Sequence, residues 1–134
     1  FLETVPTSLP GVRTLMRTLR SGGYTAILPD QVPPQGQGVW APFFGREVYT
    51  MTLVAKLAQQ SGALVLLSWC ERLSPGQGYH IHMLPWDVAA FRDADTSPEE
   101  AARAINEAVE QLVRQAPGQY LWGYARYKQP RQED

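Results

Sequence analysis

The chain has 134 residues, 44% of them hydrophobic and 19% charged, with 12 basic against 13 acidic side chains and a net charge of −1. That is the composition of one ordinary globular domain, long enough for a real core but not comfortably for two. The charge balance lacks the basic excess of a nucleic-acid binder, and the single Cys70 excludes both an internal disulfide framework and a cysteine-based zinc site.

The opening FLETVPTSLPG has neither the basic region nor the apolar block of a secretory signal, and reads as a connecting loop within something longer. From Pro10 to Leu19 an amphipathic helix is expected. Val12, Leu15, Met16 and Leu19 form one stripe and Arg13, Arg17 and Arg20 another, before Ser21-Gly22-Gly23 ends it. YTAILPD (24–30) has the character of a short strand, followed by a loop rich in Pro, Gly and Gln. VWAPFFG (39–45) is a second extended piece, with Pro42 suggesting an edge or a bend.

Helical spacing is read from Val48 to Gln60, through Leu53, Val54, Leu57 and Ala58, with Ser61-Gly62 as the stop. ALVLLSWC (63–70) is the longest apolar run, far short of the ~20 residues a membrane span needs. It reads as a strand covered on both faces. A turn, ERLSPGQG, leads to a strand at 79–84. Strand, helix and strand from 24 to 70 imply a parallel crossover, and the turn after 70 an antiparallel pair. Ser97-Pro98-Glu99-Glu100 is a capping box with proline at the first helical position. The helix it opens runs to about Gln115, burying Ala101, Ile105, Ala108, Val109, Leu112 and Val113. An aromatic and basic stretch, QYLWGYARYK, closes the ordered sequence before a polar tail. The expected fold class is α/β, a mixed sheet flanked by helices.

Both histidines lie in YHIHMLPWD (79–87), and His82 to Asp87 has the His-x4-Asp spacing of a histidine base with its carboxylate. On a strand five residues span ~17 Å, and an odd offset puts the two side chains on opposite faces. The spacing is therefore a coincidence. His80 and His82 share a face, but no Asp, Glu or Cys stands at a helpful nearby spacing, so no metal site is expected. Cys70 ends an apolar strand and reads as a buried, inert thiol rather than a nucleophile with His80 as its base.

ILPDQ (27–31), VWAPFFG (39–45), a threonine-containing helix at 50–61, SGALVLLSW and APGQYLWGYARYK (116–128) occur here in that order. Together they resemble the C-terminal half of the bacterial lipid A biosynthesis acyltransferases, the lauroyl/myristoyl class, over nearly all of residues 10–130. The resemblance implies the C-terminal part of a glycerolipid-acyltransferase-like fold. It also implies an inner-membrane enzyme, acting at the cytoplasmic face, that moves a fatty acyl chain from acyl carrier protein to a lipid A precursor without metal or cofactor. The family's catalytic His-x4-Asp/Glu and N-terminal anchor lie upstream of the Leu-Pro-Asp-Gln block, so no catalytic residue is expected among these 134 and the segment alone should be inactive. The family's terminal block often reads Trp-x-His-Arg-Arg-aromatic-Lys. Here Trp122, Arg126 and Lys128 match it, while one His and one Arg are replaced. A second reading is a non-catalytic relative that binds an acyl chain or the carrier protein.

Within that resemblance six residues are candidates for substrate binding: Asp30, Gln31, Phe43, Phe44, Thr50 and Arg126. Asp30 and Gln31 follow a strand and precede a Gly-rich loop, where α/β folds commonly place ligands. Asp30 either orients a basic partner or acceptor hydroxyl, or merely forms the turn after Pro29. Phe43 and Phe44 either line an apolar acyl groove or pack the core. Thr50 and Thr52 either bind beside that groove or only cap and pack. The Arg13, Arg17, Arg20 stripe is either a solvated face or a meeting point for lipid phosphates or the carrier protein. Tyr120, Leu121 and Trp122 are read as packing residues, with Arg126 and Lys128 available to lipid headgroups.

Overall fold

A computed structural model describes residues 4–6, 8–87, 89, 93 and 95–132. The reading of the opening residues as a connecting loop therefore falls partly outside the described residues.

Helix α1 spans Leu9–Arg20 and is closed at Ser21, where the Ser21 N–H donates to the Arg17 carbonyl and the Gly22 N–H to the Leu19 carbonyl. Val12, Leu15, Met16 and Leu19 are half-buried, whereas Arg13, Arg17 and Arg20 are exposed, and the helix packs on α2. The expected strand at 24–28 does not form. These residues carry no regular secondary structure, no strand pairs with them among the described residues, and Tyr24 and Leu28 are exposed. Apolar β-type sequence gives a strand only where a second edge takes up its hydrogen bonds.

Strands β1 (Gly38–Phe43) and β2 (Arg46–Met51) form an antiparallel hairpin in the register Phe43↔Arg46 to Gly38↔Met51. Its two-residue turn has positive φ at both Phe44 (47°) and Gly45 (74°), as a type I′ turn requires. Phenylalanine pays about 1 kcal/mol of strain there. Its backbone N–H is held at 2.7 Å by Glu110 Oε1. The helix expected from Val48 begins only at Leu53. Val48, Tyr49 and Thr50 are β-branched or aromatic and lie in β2. The helical spacing belongs to Leu53, Val54, Leu57 and Ala58 alone, in α2 (Leu53–Ser61), which stops at Gly62 with φ 68°.

The second hairpin joins β3 (Leu66–Arg72) and β4 (Tyr79–Pro85), antiparallel as expected. The predicted two-sided burial of β3 is not found. Exposed and half-buried residues alternate along it, the pattern of a sheet with one packed face, and Cys70 lies on the open face as an exposed thiol. No parallel crossover joins 24 to 70. The sheets are two separate antiparallel pairs in a mixed α/β chain.

Helix α3 (Pro98–Gln115) packs on the first hairpin, chiefly on β1, and on α2, and organises the core. Its N-terminal half packs Ala101 and Ile105 on Ala55, with Val54, Val65 and Trp86 around them. Its C-terminal half packs Val109 and Val113 on Phe43 and Val48, with Tyr120 and Tyr127 closing the cluster. Leu112 is half-buried rather than buried. The capping box forms as read: Ser97 Oγ accepts from Glu100 N–H, and Glu100 Oε2 accepts from Ser97 N–H at 2.9 Å. The hydrogen bonds to Ser97 hold the Glu100 carboxyl below its ordinary range. A depressed carboxylate contributes stability above its unfolded pKa and loses it as pH falls through the folded one. Ser97→Ala removes the side-chain part of this box, the hydroxyl that bonds Glu100, and should lower stability at neutral pH. In acid-melting curves it should shrink the gap between wild type and variant, which a denaturant series at pH 7 and pH 3 would measure.

Candidate functional site

Three of the blocks that carry the resemblance, through Pro42, Thr50 and Arg126, meet at one polar node between β2, α3 and the C-terminal loop. At its centre is Arg126, only 3% exposed. Its Nη1 donates to the Tyr49 carbonyl at 2.7 Å, and its Nη2 donates to Thr50 Oγ1 at 2.9 Å and Asn106 Oδ1 at 3.1 Å. Asn106 Nδ2 donates to Thr50 Oγ1 at 2.9 Å and to the Pro42 carbonyl at 3.0 Å. Thr50 and Asn106 are themselves buried. One helix residue, one strand hydroxyl and one C-terminal guanidinium thus satisfy each other across 76 residues of sequence. Arg126 Nε has no partner among the described residues.

No carboxylate forms an ion pair with Arg126 among the described residues. Burial lowers its pKa, opposed by the nearby Tyr120 and by Asp30. An arginine remains charged through any ordinary pH even so. The balancing charge stands one step away: Tyr120 Oη donates to Asp30 Oδ2 at 2.9 Å. Burial first, then the Asp30 charge, pushes the Tyr120 phenol well above its ordinary value. A raised phenol keeps its proton in the folded state while the unfolded state ionises, so this contribution is present below the unfolded pKa and lost as pH rises through the folded one. Alkaline titration followed by phenolate absorbance should show a late ionisation step from Tyr120, and Tyr120→Phe should abolish it.

Beside the node lies an open pocket of about 290 Å³ lined by Gln31, Val32, Pro33, Pro34, Tyr124, Lys128 and Arg131. Tyr124 Oη accepts from Val32 N–H at 2.8 Å, and Arg131 O accepts from Gln35 N–H at 2.9 Å, pinning the Gly-rich loop to the C-terminal segment. Tyr49 Oη accepts from the N–H groups of Gly36 and Gly38. A Cβ at Gly38 would lie 2.5 Å from the Thr50 carbonyl, so only glycine permits that approach. Lys128 sits 4.8 Å from the centre of the Tyr124 ring, leaving two cations at the pocket edge.

Of the six candidates, Thr50 and Arg126 meet in this node, Asp30 stands apart on Tyr120, and Gln31 is exposed at the pocket. Phe43 is 1% exposed inside the core, and Phe44 is half-buried at the hairpin tip against Trp122. Thr52 is the N-cap of α2 without a side-chain cap bond. Asn106 and Tyr120 were not anticipated as polar partners. Asn106 falls on the apolar stripe of α3 one position after Ile105, and that polar residue on a buried face was the available signal.

Comparison with known proteins follows the same blocks. The profile described as Bacterial lipid A biosynthesis acyltransferase matches residues 5–129. The chain belongs to that family. It is 31% identical over 112 residues to the lipid A biosynthesis acyltransferase of Haemophilus influenzae, which covers 84% of this chain and 34% of that protein. It is 30% identical to the lipid A biosynthesis lauroyltransferase of Escherichia coli over 119 residues, 87% of this chain and 38% of the relative. The palmitoleoyltransferase of the same organism is 30% identical over 118 residues, 87% and 37% respectively. The chain therefore spans little more than a third of the length of these relatives. No helix among the described residues is long and apolar enough to cross a membrane.

Proposed function

We propose that this chain is the C-terminal part of an acyltransferase of lipid A biosynthesis, with the fold of the glycerolipid-acyltransferase-like enzymes once complete. The donor is acyl carrier protein, the acceptor a hydroxyacyl group on a lipid A precursor, and the setting the cytoplasmic face of the bacterial inner membrane. The acceptor hydroxyl attacks the thioester carbon, an ester forms, and the carrier's thiolate leaves. The hydroxyl proton passes to a histidine base and from it to the departing sulfur. That base belongs to a His-x4-Asp/Glu pair in the portion of the relatives that the match does not reach. The observation that carries the reading is the family match over residues 5–129.

In this reading Arg126 is a positioning residue. Its amino groups are occupied by Tyr49, Thr50 and Asn106, and it holds the C-terminal segment against β2 and α3. The half-buried Lys128 and the exposed Arg131, which line the pocket with Gln31, receive the anionic end of the acceptor. Lys128→Glu with Arg131→Glu should raise the acceptor KM of the intact enzyme about tenfold while leaving kcat near its starting value, since only ground-state binding is removed.

The test is transfer itself. The polypeptide as its source makes it, mixed with acyl carrier protein thioester and an underacylated precursor, should yield a product heavier by one acyl group, whereas the 134 residues alone should yield none. No product from the intact polypeptide would overturn the proposal. Retention of acyl carrier protein without turnover would favour the binding-module reading instead.

A further inference from the structure

The second hairpin brings together residues that lie far apart in sequence. In the β3–β4 register Glu71 stands opposite His80, and Trp69 opposite His82. Because strand side chains alternate faces, all four project from the same side. The absence of a carboxylate at helpful spacing, inferred from the sequence, is corrected here: it comes from across the hairpin, from Glu71. His82 Nε2 lies 2.8 Å from Glu71 Oε2, and the His80 and His82 rings stack with centres 4.3 Å apart. One ligand atom from each of Glu71, His80 and His82 falls within 4.8 Å of the others. Asp87 plays no part, since its Oδ1 accepts locally from Ala89 N–H.

We propose that Glu71, His80 and His82 form a binding site for a divalent transition-metal ion, zinc by preference. Two imidazoles and a carboxylate are the donor set of such ions, and hard cations such as magnesium or calcium favour all-oxygen sites. An ion seated between Glu71 and His82 replaces their hydrogen bond with two metal–ligand bonds, and His80 supplies the third. Three protein ligands leave a fourth tetrahedral position for water.

The surroundings hold the ligands in place. Trp69 lies flat against the His82 ring, at 4.4 Å between centres and 5° between planes, and so limits its rotation. Gln119 grips the backbone beside Glu71 from both sides: its Oε1 accepts from Arg72 N–H at 2.7 Å, and its Nε2 donates to the Arg72 carbonyl at 3.2 Å. His80 is exposed and Glu71 and His82 are half-buried, so an ion reaches the site from solvent. The site is separate from the Arg126 node and does not rest on the acyltransferase reading.

Zinc chloride titrated calorimetrically into the full chain tests the proposal, in a Cys70→Ser background so that the exposed thiol contributes nothing. One ion per chain is expected. His80→Ala, which leaves the Glu71–His82 pair and the strand pairing in place, should weaken binding by about tenfold or more. Glu71→Gln should do the same, with circular dichroism confirming that each variant is folded. Copper(II), titrated separately, should quench the fluorescence of Trp69, and Trp69→Phe should remove that quenching. Absence of one-to-one binding, or an affinity unchanged by His80→Ala, would overturn the site.

Discussion

Arg126→Ala is expected to lower stability by about 3–5 kcal/mol, the size of effect seen when one member of a buried polar network is removed. The alanine leaves the Tyr49 carbonyl and Asn106 Oδ1 in a closed space without the guanidinium's N–H groups, while Thr50 Oγ1 keeps only the donation from Asn106. Each such orphaned group costs about 1–3 kcal/mol, though groups sharing one network do not add fully. Arg126→Lys keeps the charge but cannot span the three acceptors, so it should fall between alanine and wild type. Chemical denaturation at pH 7 measures both. Because the guanidinium stays charged at any ordinary pH, the alanine deficit should be the same at pH 6 and pH 8. A deficit below about 1 kcal/mol would mean that water or rearrangement satisfies the acceptors, and that the node does not organise the fold.

How much of this could be read from the sequence depends on whether the deciding contact was local. The capping box at Ser97 and Glu100, the stop at Gly62 and the hairpin after Arg72 were readable because each depends on a few adjacent residues. The strand expected at 24–28 and the two-sided burial of 63–70 were not. Both needed neighbours that apolar character cannot specify, and among the described residues those neighbours are absent. The Val48–Thr52 error has a different cause: a helical stripe starting at Leu53 was extended backwards over residues whose side chains favour a strand. At the site, Asp30, Gln31, Thr50 and Arg126 were picked out through family likeness. The network of Thr50 with Arg126 and the tie of Asp30 to Tyr120 were invisible, because Asn106 and Tyr120 looked like a helix interior and a packing aromatic.

Phe43→Ala should cost about 3–5 kcal/mol, because it empties the centre of a cluster rather than the wall of a groove. The ring is 1% exposed. It lies 4.8 Å from Phe44 and 6.3 Å from Tyr127, and the Arg126 guanidinium sits 5.6 Å from its centre. The stability loss alone does not decide whether an acyl chain runs past this hairpin, and Phe44 supplies that test. Asparagine tolerates the positive φ at position 44, so Phe44→Asn relieves strain while deleting the ring that meets Trp122 and Arg114. Its stability should stay within about 1 kcal/mol of wild type. If the hairpin tip touches the acyl chain, the intact enzyme carrying Phe44→Asn will change its preference among donor chain lengths. The more conservative core variant Phe43→Leu should then lower stability and leave that preference alone. Should Phe43→Leu shift chain-length preference while Phe44→Asn leaves it unchanged, the acyl path runs through the core side of the hairpin, and the packing assigned to Phe43 is the feature to revise.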